Sequence, residues 1–475
     1  MHDSSTAPLV VDLDGTLLRS DSLLESLAIL ARNRPLSLFR LPVWLLTGKA
    51  GFKARLAAVA SPDASLYPYR EEVIELVREA RERGQKTVLA SGAHESLVSE
   101  VNDHLGLFDE THGSSESVNL TRQHKLDRIR EQHDVFDYVG DSADDRVLCD
   151  EARKAYAPAG TWAARHIQQS GKGQVIGESE GGSQAMIKAM RLHQWAKNLL
   201  VFLPLFLAQQ FTDTVALVDT LIAFFAFSLV ASGVYIVNDL VDIESDRQHP
   251  TKKDRPFASG AASPLAGVLL AVACFGLGTV GALLVNVPFL LALLGYLVVT
   301  MAYSFLLKRR AIIDILTLGL LYTSRLFAGA LAANVELSFW LLAFATFIFL
   351  SLALVKRCSE LGDMQARGVD KAAGRGYTTD DIDVLSMMGI ASAFTAMLVL
   401  ALYINAPEVL ALYEEPRFLW LLCPVLIYWL GRIWLLTRRG EMHEDPIVFA
   451  IRDKRSYLLA ALSVAAVVLA TGRVI

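Results

Sequence analysis

Asn238-Asp239-Leu240-Val241-Asp242-Ile243-Glu244-Ser245-Asp246 closes an apolar stretch of membrane-spanning length. It runs straight into Arg247-Gln248-His249-Pro250-Thr251-Lys252-Lys253-Asp254-Arg255-Pro256. Asn238, Asp242 and Asp246 stand four apart, so on a helix they share one face. Oxygen side chains stacked on one face repel one another unless a cation sits among them. A divalent cation held by oxygens at a membrane surface can in turn hold a diphosphate. The basic residues that follow offer donors to the phosphate oxygens that the metal leaves free. A solvated helix end is the plainer reading of the same residues, and the close basic cluster favours the anion site.

Outward from this stretch, the 475 residues are too many for one domain, and their 53% hydrophobic content is unevenly spread. Residues 1–180 have the charge density of a soluble protein. From Leu199 onward, apolar runs alternate with short charged loops. The net charge of −5 argues against nucleic acid as a partner. Cys149, Cys274, Cys358 and Cys423 show no ligand spacing and are expected to be reduced and buried. The polar stub before Pro8 lacks the features of a secretory signal, so the N-terminal half is expected to stay in the cytoplasm.

About nine spanning helices are expected at the usual length. Their approximate positions are 189–210, 214–238, 264–284, 286–306, 312–333, 338–356, 384–405, 417–437 and 456–473. The loops on one side carry Lys252-Lys253-Asp254-Arg255, Lys308-Arg309-Arg310, Lys356-Arg357, Arg367, Lys371, Arg375, Arg438-Arg439 and Arg452. The loops on the other side carry only Arg417 and Arg473. The positive-inside rule places the acidic ladder on the cytoplasmic side and the C-terminus outside. The same side then gathers Tyr303, Lys308, Asp314, Lys356 and Arg357. Arg325, about three turns into the fifth span, needs a polar cavity or a partner at such depth.

With about nine helices and Asn-Asp-x-x-Asp-x-x-x-Asp after the second, residues 185–475 resemble the UbiA superfamily of intramembrane transferases. One departure is visible. The second Asp-x-x-x-Asp motif common in prenyl-diphosphate enzymes is incomplete, because Asp314 is followed four residues on by Leu318. Three stretches together resemble the polyprenyl-phosphate phosphoribosyltransferase branch, whose known type acts on decaprenyl phosphate. They are Gln194-Trp195-x-Lys197-Asn198, the Asn238–Pro256 stretch, and Tyr303-Ser304-x-x-Leu307-Lys308 with Asp314. The resemblance implies 5-phosphoribosyl diphosphate as donor, a polyprenyl phosphate lipid as acceptor, and a product for arabinan in a bacterial cell envelope. It implies Mg²⁺ on Asn238, Asp242 and Asp246. Asp314 is then a candidate to stabilise an oxocarbenium-like transition state or to bind ribose hydroxyls. Lys197, Asn198, Lys252, Arg255, Tyr303, Lys308, Arg325, Lys356 and Arg357 are candidates for substrate binding. A homo-oligomer is compatible with the resemblance, and no surface pattern specifies one. An aromatic prenyltransferase using polyprenyl diphosphate is the rival reading.

In the N-terminal half, Pro8-Leu9-Val10-Val11-Asp12-Leu13-Asp14-Gly15-Thr16, Thr87-Val88-Leu89-Ala90-Ser91-Gly92 and Tyr138-Val139-Gly140-Asp141-Ser142-x-x-Asp145 read as buried strands ending in polar turns. In a parallel α/β sheet such ends converge at one crevice. The three stretches, with Lys125 opening a helix, resemble the haloacid dehalogenase superfamily of phosphohydrolases over about residues 1–170. That family implies a Rossmann-like parallel sheet, with a helical cap here at about 17–66. It implies Asp12 as nucleophile, Asp14 as acid/base, and Thr16 as support. Ser91, Gly92 and Lys125 would bind the phosphoryl group, and Asp12, Asp14, Asp141 and Asp145 would be a Mg²⁺ set. Leu36–Leu46 is unusually apolar for a cap. It packs on the domain core or meets the membrane surface to reach a lipid substrate. Residues 171–184 read as a linker. The two halves together suggest transfer of 5-phosphoribose to the lipid and then removal of the 5-phosphate. An unrelated soluble phosphomonoester as substrate, or a non-catalytic scaffolding domain, are the alternatives.

Overall fold

A computed structural model describes residues 7–178, 182–370, 375–442 and 445–472, the side chain of residue 408 apart. Lys371 and Arg473, two of the residues used for orientation, lie outside them. The chain forms two compact units. One comprises Met1–Met190 with Tyr235–Ala271, and the other Arg191–Val234 with Val272–Ile475.

The first unit is built on a six-stranded parallel sheet: β1 (Leu9–Val11), β2 (Thr87–His94), β3 (Glu110–Ser114), β4 (Asp137–Val139), β5 (Ala155–Pro158) and β6 (Gly173–Ile176), in the order β3-β2-β1-β4-β5-β6. Both faces are covered, which is why β1 is apolar at every position. Val11, Leu17, Val73, Val77, Leu89 and Val101 pack on one face. Val10, Val88, Leu126, Ile129, Tyr138 and Ile167 pack on the other. Chain order reverses direction between β1 and β4, so the ligand crevice of such a sheet falls at their C-terminal ends. Residues 173–176, expected as linker, instead form edge strand β6, paired with β5. Four residues are too short a run for periodicity to register. Between β1 and β2 the chain makes the helices Ser22–Asn33, Leu41–Leu45 and Gly48–Val59, with 3₁₀ turns at Pro35–Arg40 and Ala64–Leu66.

Among the described residues, seven helices are long and apolar enough to cross a membrane. They are Thr214–Val241, Pro264–Val285, Val287–Phe305, Ile313–Ala333, Phe339–Ala366, Thr379–Ile404 and Pro416–Arg438. The expected count of nine is therefore not reached. The first expected span is a 3₁₀ segment, Leu192–Phe202, followed by the short helix Leu203–Leu207. Pro204 lacks an N–H and its ring would clash with the carbonyl four residues back, so no α-helix runs through from 189. The ninth is the 17-residue helix Lys454–Ala470. In the second unit Tyr322, Phe349, Leu354, Leu385, Ile433 and Trp434 make the main core. Leu269, Val272, Leu277 and Leu284 on Pro264–Val285 are exposed apolar side chains, as a lipid-facing surface requires.

Candidate active sites

In the first unit the carboxylates collect where β1 and β4 end. Asp12 follows β1 in extended conformation, and residues 13–17 then make a tight turn in which Gly15 has φ +74°. A Cβ on Gly15 would lie 2.3 Å from Oδ2 of Asp141, so only glycine lets the turn approach that closely. The Thr16 hydroxyl lies 3.3 Å from Asp141 Oδ1 and 3.5 Å from Asp12 Oδ2. Buried Lys125, on the helix Gln123–Arg130, donates to Asp12 Oδ1 at 2.6 Å and to the Tyr138 hydroxyl at 3.2 Å, and lies 3.5 Å from Asp145. Tyr138 donates to Asp145 Oδ1 at 2.6 Å, and the Ser142 N–H and hydroxyl donate to its other oxygen. The Ser91 hydroxyl is buried and accepts from the Ala93 N–H, while the Gly92 carbonyl accepts from Lys53 Nζ at 2.6 Å.

Oxygens of Asp12, Asp141 and Asp145 lie within 4.8 Å of one another. Asp14, expected among the metal ligands, is not part of this set. Its carboxylate accepts instead from the Ser22 N–H and hydroxyl at 2.7 and 3.1 Å. Burial pushes Asp12 up to about 6 against the opposing pull of Lys125. Burial, followed by the charge of Asp21, pushes Asp14 up to about 8. Asp141 is raised by burial and by Asp12 and Asp145. Burial works against ionised Asp145 too, but Lys125 and the Tyr138 and Ser142 hydrogen bonds outweigh it and hold Asp145 low. Carboxylate oxygens gathered this closely could hold a divalent cation. They border a cavity of about 780 Å³, which Lys53, Arg19, Arg70, Arg122, Gly260, Ala261 and residues 263–265 also line.

The ladder lies in the same unit. Asn238 is half-buried near the end of Thr214–Val241, Asp242 stands at the break that follows, and Asp246 is buried on the short helix Ile243–Arg247. The Asp242 N–H donates to the Asn238 carbonyl and the Asp246 N–H to that of Asp242, so the four-residue spacing survives the break. Arg255 donates to Asp239 at 3.0 Å and to Asp246 at 2.6 Å, and Lys252 is exposed. Arg247 turns to the α/β domain, where it makes two buried bonds to Glu25, at 2.6 and 2.9 Å, and one to the Ala258 carbonyl.

The second unit holds a separate polar cluster. Asp314 and Arg357 are both fully buried and paired at 2.8 Å. Tyr303 donates to Asp314 at 2.8 Å, and Arg375 lies 3.6 Å away. Asp314 is thus closed in by cations and does not present a bare carboxylate. Lys197 donates to Asp445 at 2.6 Å, the Tyr322 hydroxyl does likewise, and Lys356 stands 3.6 Å off. Arg325 donates to Asn198 at 2.9 Å and lies among the rings of Phe227, Tyr296 and Tyr322 at 5.3–5.6 Å. Cation–π contact and neutral acceptors are how this deep arginine is accommodated. Lys308 is half-buried on a 3₁₀ turn.

Lys53, Tyr138, Glu25 and Asp445 are no candidates from the sequence, and Arg247 and Arg375 enter there only through a motif or through orientation, not as partners of Glu25 and Asp314. Tyr138 sits inside a quoted strand, and the signal available was that a buried tyrosine hydroxyl needs a partner. Asp445 carries no motif and gives no signal.

The chain belongs to the UbiA prenyltransferase family, whose model matches residues 199–456, and this makes the helical part a transferase of the prenyltransferase type. Protein y4nM of Sinorhizobium fredii is 38% identical over 98% of this chain and 91% of its own length, an alignment that takes in both units. Nodulation protein NoeC of Azorhizobium caulinodans is 33% identical over 57% of this chain and 87% of its own. Decaprenyl-phosphate phosphoribosyltransferase of Mycobacterium tuberculosis is 36% identical over 37% of this chain and 60% of its own.

Proposed function

We propose that this protein is a two-site membrane enzyme that transfers 5-phosphoribose from 5-phosphoribosyl diphosphate to a polyprenyl phosphate and then removes the 5-phosphate. The observation that carries the first step is the similarity to decaprenyl-phosphate phosphoribosyltransferase within the transferase part. In that step the ribosyl C1–O bond to the diphosphate breaks, an oxygen of the lipid phosphate bonds to C1, and diphosphate leaves. Asn238, Asp242 and Asp246 would hold Mg²⁺, which supplies charge neutralisation for the departing diphosphate. Lys252, exposed on the stretch that follows the ladder, offers positive charge for substrate phosphates. Arg325 with Asn198 fixes the local packing.

The second step rests on the Asp12–Lys125–Asp145 arrangement. A carboxylate oxygen of Asp12 attacks phosphorus and the ester P–O bond breaks. Protonated Asp14 gives its proton to the leaving 5-oxygen, and Asp14 then takes one from the water that hydrolyses the aspartyl phosphate. Asp12, Asp141 and Asp145 would hold Mg²⁺. Lys125 keeps Asp12 ionised and aligned. The domain's likeness to haloacid dehalogenase phosphohydrolases, with nucleophile, lysine and terminal aspartates in place, supports this assignment. So does chemical continuity, since the first product is a phosphomonoester on a lipid facing the cytoplasm.

Purified protein with Mg²⁺ separates the two activities. Labelled 5-phosphoribosyl diphosphate and a polyprenyl phosphate are expected to yield labelled lipid, and Asp246→Asn is expected to abolish it. Label taken up only from a prenyl diphosphate would favour the rival prenyltransferase. A generic phosphomonoester should be hydrolysed by the parent chain and not by Asp12→Asn.

A further inference from the structure

Between Ser26 and Pro62 the chain carries Arg32, Arg34, Arg40, Lys49, Lys53 and Arg55 and no acidic residue, in a protein of net charge −5. The middle of this stretch folds as the 3₁₀ turn Pro35–Arg40 and the helix Leu41–Leu45. Its inner side chains, Leu38, Leu41 and Trp44, pack against Leu30, Phe52 and Leu56. Its outer ones are mostly exposed. Leu36 is 80% exposed, Phe39 81%, Val43 60%, Leu45 57% and Leu46 86%. Arg34, Arg40 and Lys49, at the edges of this apolar face, are exposed as well.

Five large apolar side chains bared within eleven residues require a cover, because exposed apolar surface of that density marks an interaction site. The composition says which cover. Leucine and phenylalanine flanked by arginine and lysine, without any carboxylate, complement a surface that is apolar inside and anionic at its rim. The same compact unit contains the end of the span Thr214–Val241 and the start of Pro264–Val285, so it is tethered to a bilayer by its own chain.

We propose that residues 34–49 are an interfacial lipid-binding element. Leu36, Phe39, Val43, Leu45 and Leu46 enter the boundary between headgroups and acyl chains, and Arg34, Arg40 and Lys49 rest on anionic headgroups. The element continues into the helix Gly48–Val59, whose Lys53 lines the cavity beside Asp12 and Asp14. One short segment thus joins the lipid surface to that cavity. The inference does not depend on which reaction either site performs.

Spin labels on full-length protein in phosphatidylethanolamine–phosphatidylglycerol vesicles test it. Leu36→Cys and Leu46→Cys carry the label, Glu82→Cys on the helix Glu71–Glu82 is the water-exposed control, and the unsubstituted chain gives the background from native cysteines. Labels at positions 36 and 46 are expected to be reached by oxygen dissolved in the lipid and shielded from a water-soluble nickel chelate, in contrast to position 82. Equal access of the chelate to all three positions overturns the proposal. So does spin–spin broadening that grows with protein density, which would assign the face to a second copy of this chain. The unaltered chain gives an independent reading. Trypsin should cut after Arg40 and Lys49 more slowly in these vesicles than in vesicles of phosphatidylcholine alone, and equal rates count against anionic lipid as the occupant.

Discussion

Asp14 is the residue whose environment most sharply determines its chemistry. Held up to about 8 by burial and then by Asp21, it carries a proton at neutral pH and can donate it to a leaving alcohol. The proton-donating step should therefore weaken as pH rises through about 8. Asp21→Asn removes one raising charge and should move that alkaline limb downward, as a pH–rate profile on a generic phosphomonoester will show. Asp14→Asn should lower turnover by about 10²–10⁴-fold. Its effect on stability has a definite sign. The folded state binds the Asp14 proton more tightly than the unfolded state does, so this group's contribution is fully present below about pH 4 and is lost as pH rises towards 8. In the presence of a chelator, the melting temperature of Asp14→Asn should fall less steeply between those limits than that of the parent. The gathering of Asp12, Lys125, Asp141 and Asp145 was legible beforehand because parallel strand ends must converge. The orientation of Asp14 towards Ser22 was not, because a two-residue turn through Gly15 can aim that carboxylate to either side.

At the scale of elements, two contacts explain what the sequence left open. Arg247 on Ile243–Arg247 and Glu25 on Ser22–Asn33 are 222 residues apart, and Glu25 lies in no motif, so no local pattern announces their pairing. Removing either partner leaves a buried charge and should cost about 3–5 kcal/mol. The swap Glu25→Arg with Arg247→Glu should recover part of that loss, with thermal unfolding of detergent-solubilised protein as the measurement. The 3₁₀ segment Leu192–Phe202 lies so close to Ile313–Ala333 that a Cβ on Gly329 would sit 2.0 Å from the Val201 carbonyl oxygen. Gly329→Ala should therefore reduce the yield of folded protein, while Gly295→Ala, where the added atom meets nothing within 4 Å, should not. Hydropathy alone presented residues 189–210 as a span. Pro204 lies in the first turn of the helix that follows, and Gly329 lets the segment lie against Ile313–Ala333.

For the whole molecule, the division into an α/β half and a helical membrane half was plain from where apolar runs begin, near Leu199. The compact units do not follow that division, because Tyr235–Ala271, the stretch that carries Asn238, Asp242 and Asp246, groups with the α/β domain. Hydropathy reports lipid exposure and strand order reports sheet topology, but neither records that Tyr235–Ala271 packs with the α/β domain. Gly260, Ala261 and residues 263–265 of that stretch border the cavity beside Asp12, the contact that the proposed phosphatase step would use. The most direct measurement compares the lipid products of the parent chain and Asp12→Asn, given Mg²⁺, labelled 5-phosphoribosyl diphosphate and a polyprenyl phosphate, and resolved by mass. The parent should accumulate ribosyl lipid lacking the 5-phosphate, and Asp12→Asn the same lipid with the 5-phosphate retained. Dephosphorylated ribosyl lipid made equally well by Asp12→Asn, or no ribosyl lipid from either, would contradict the account.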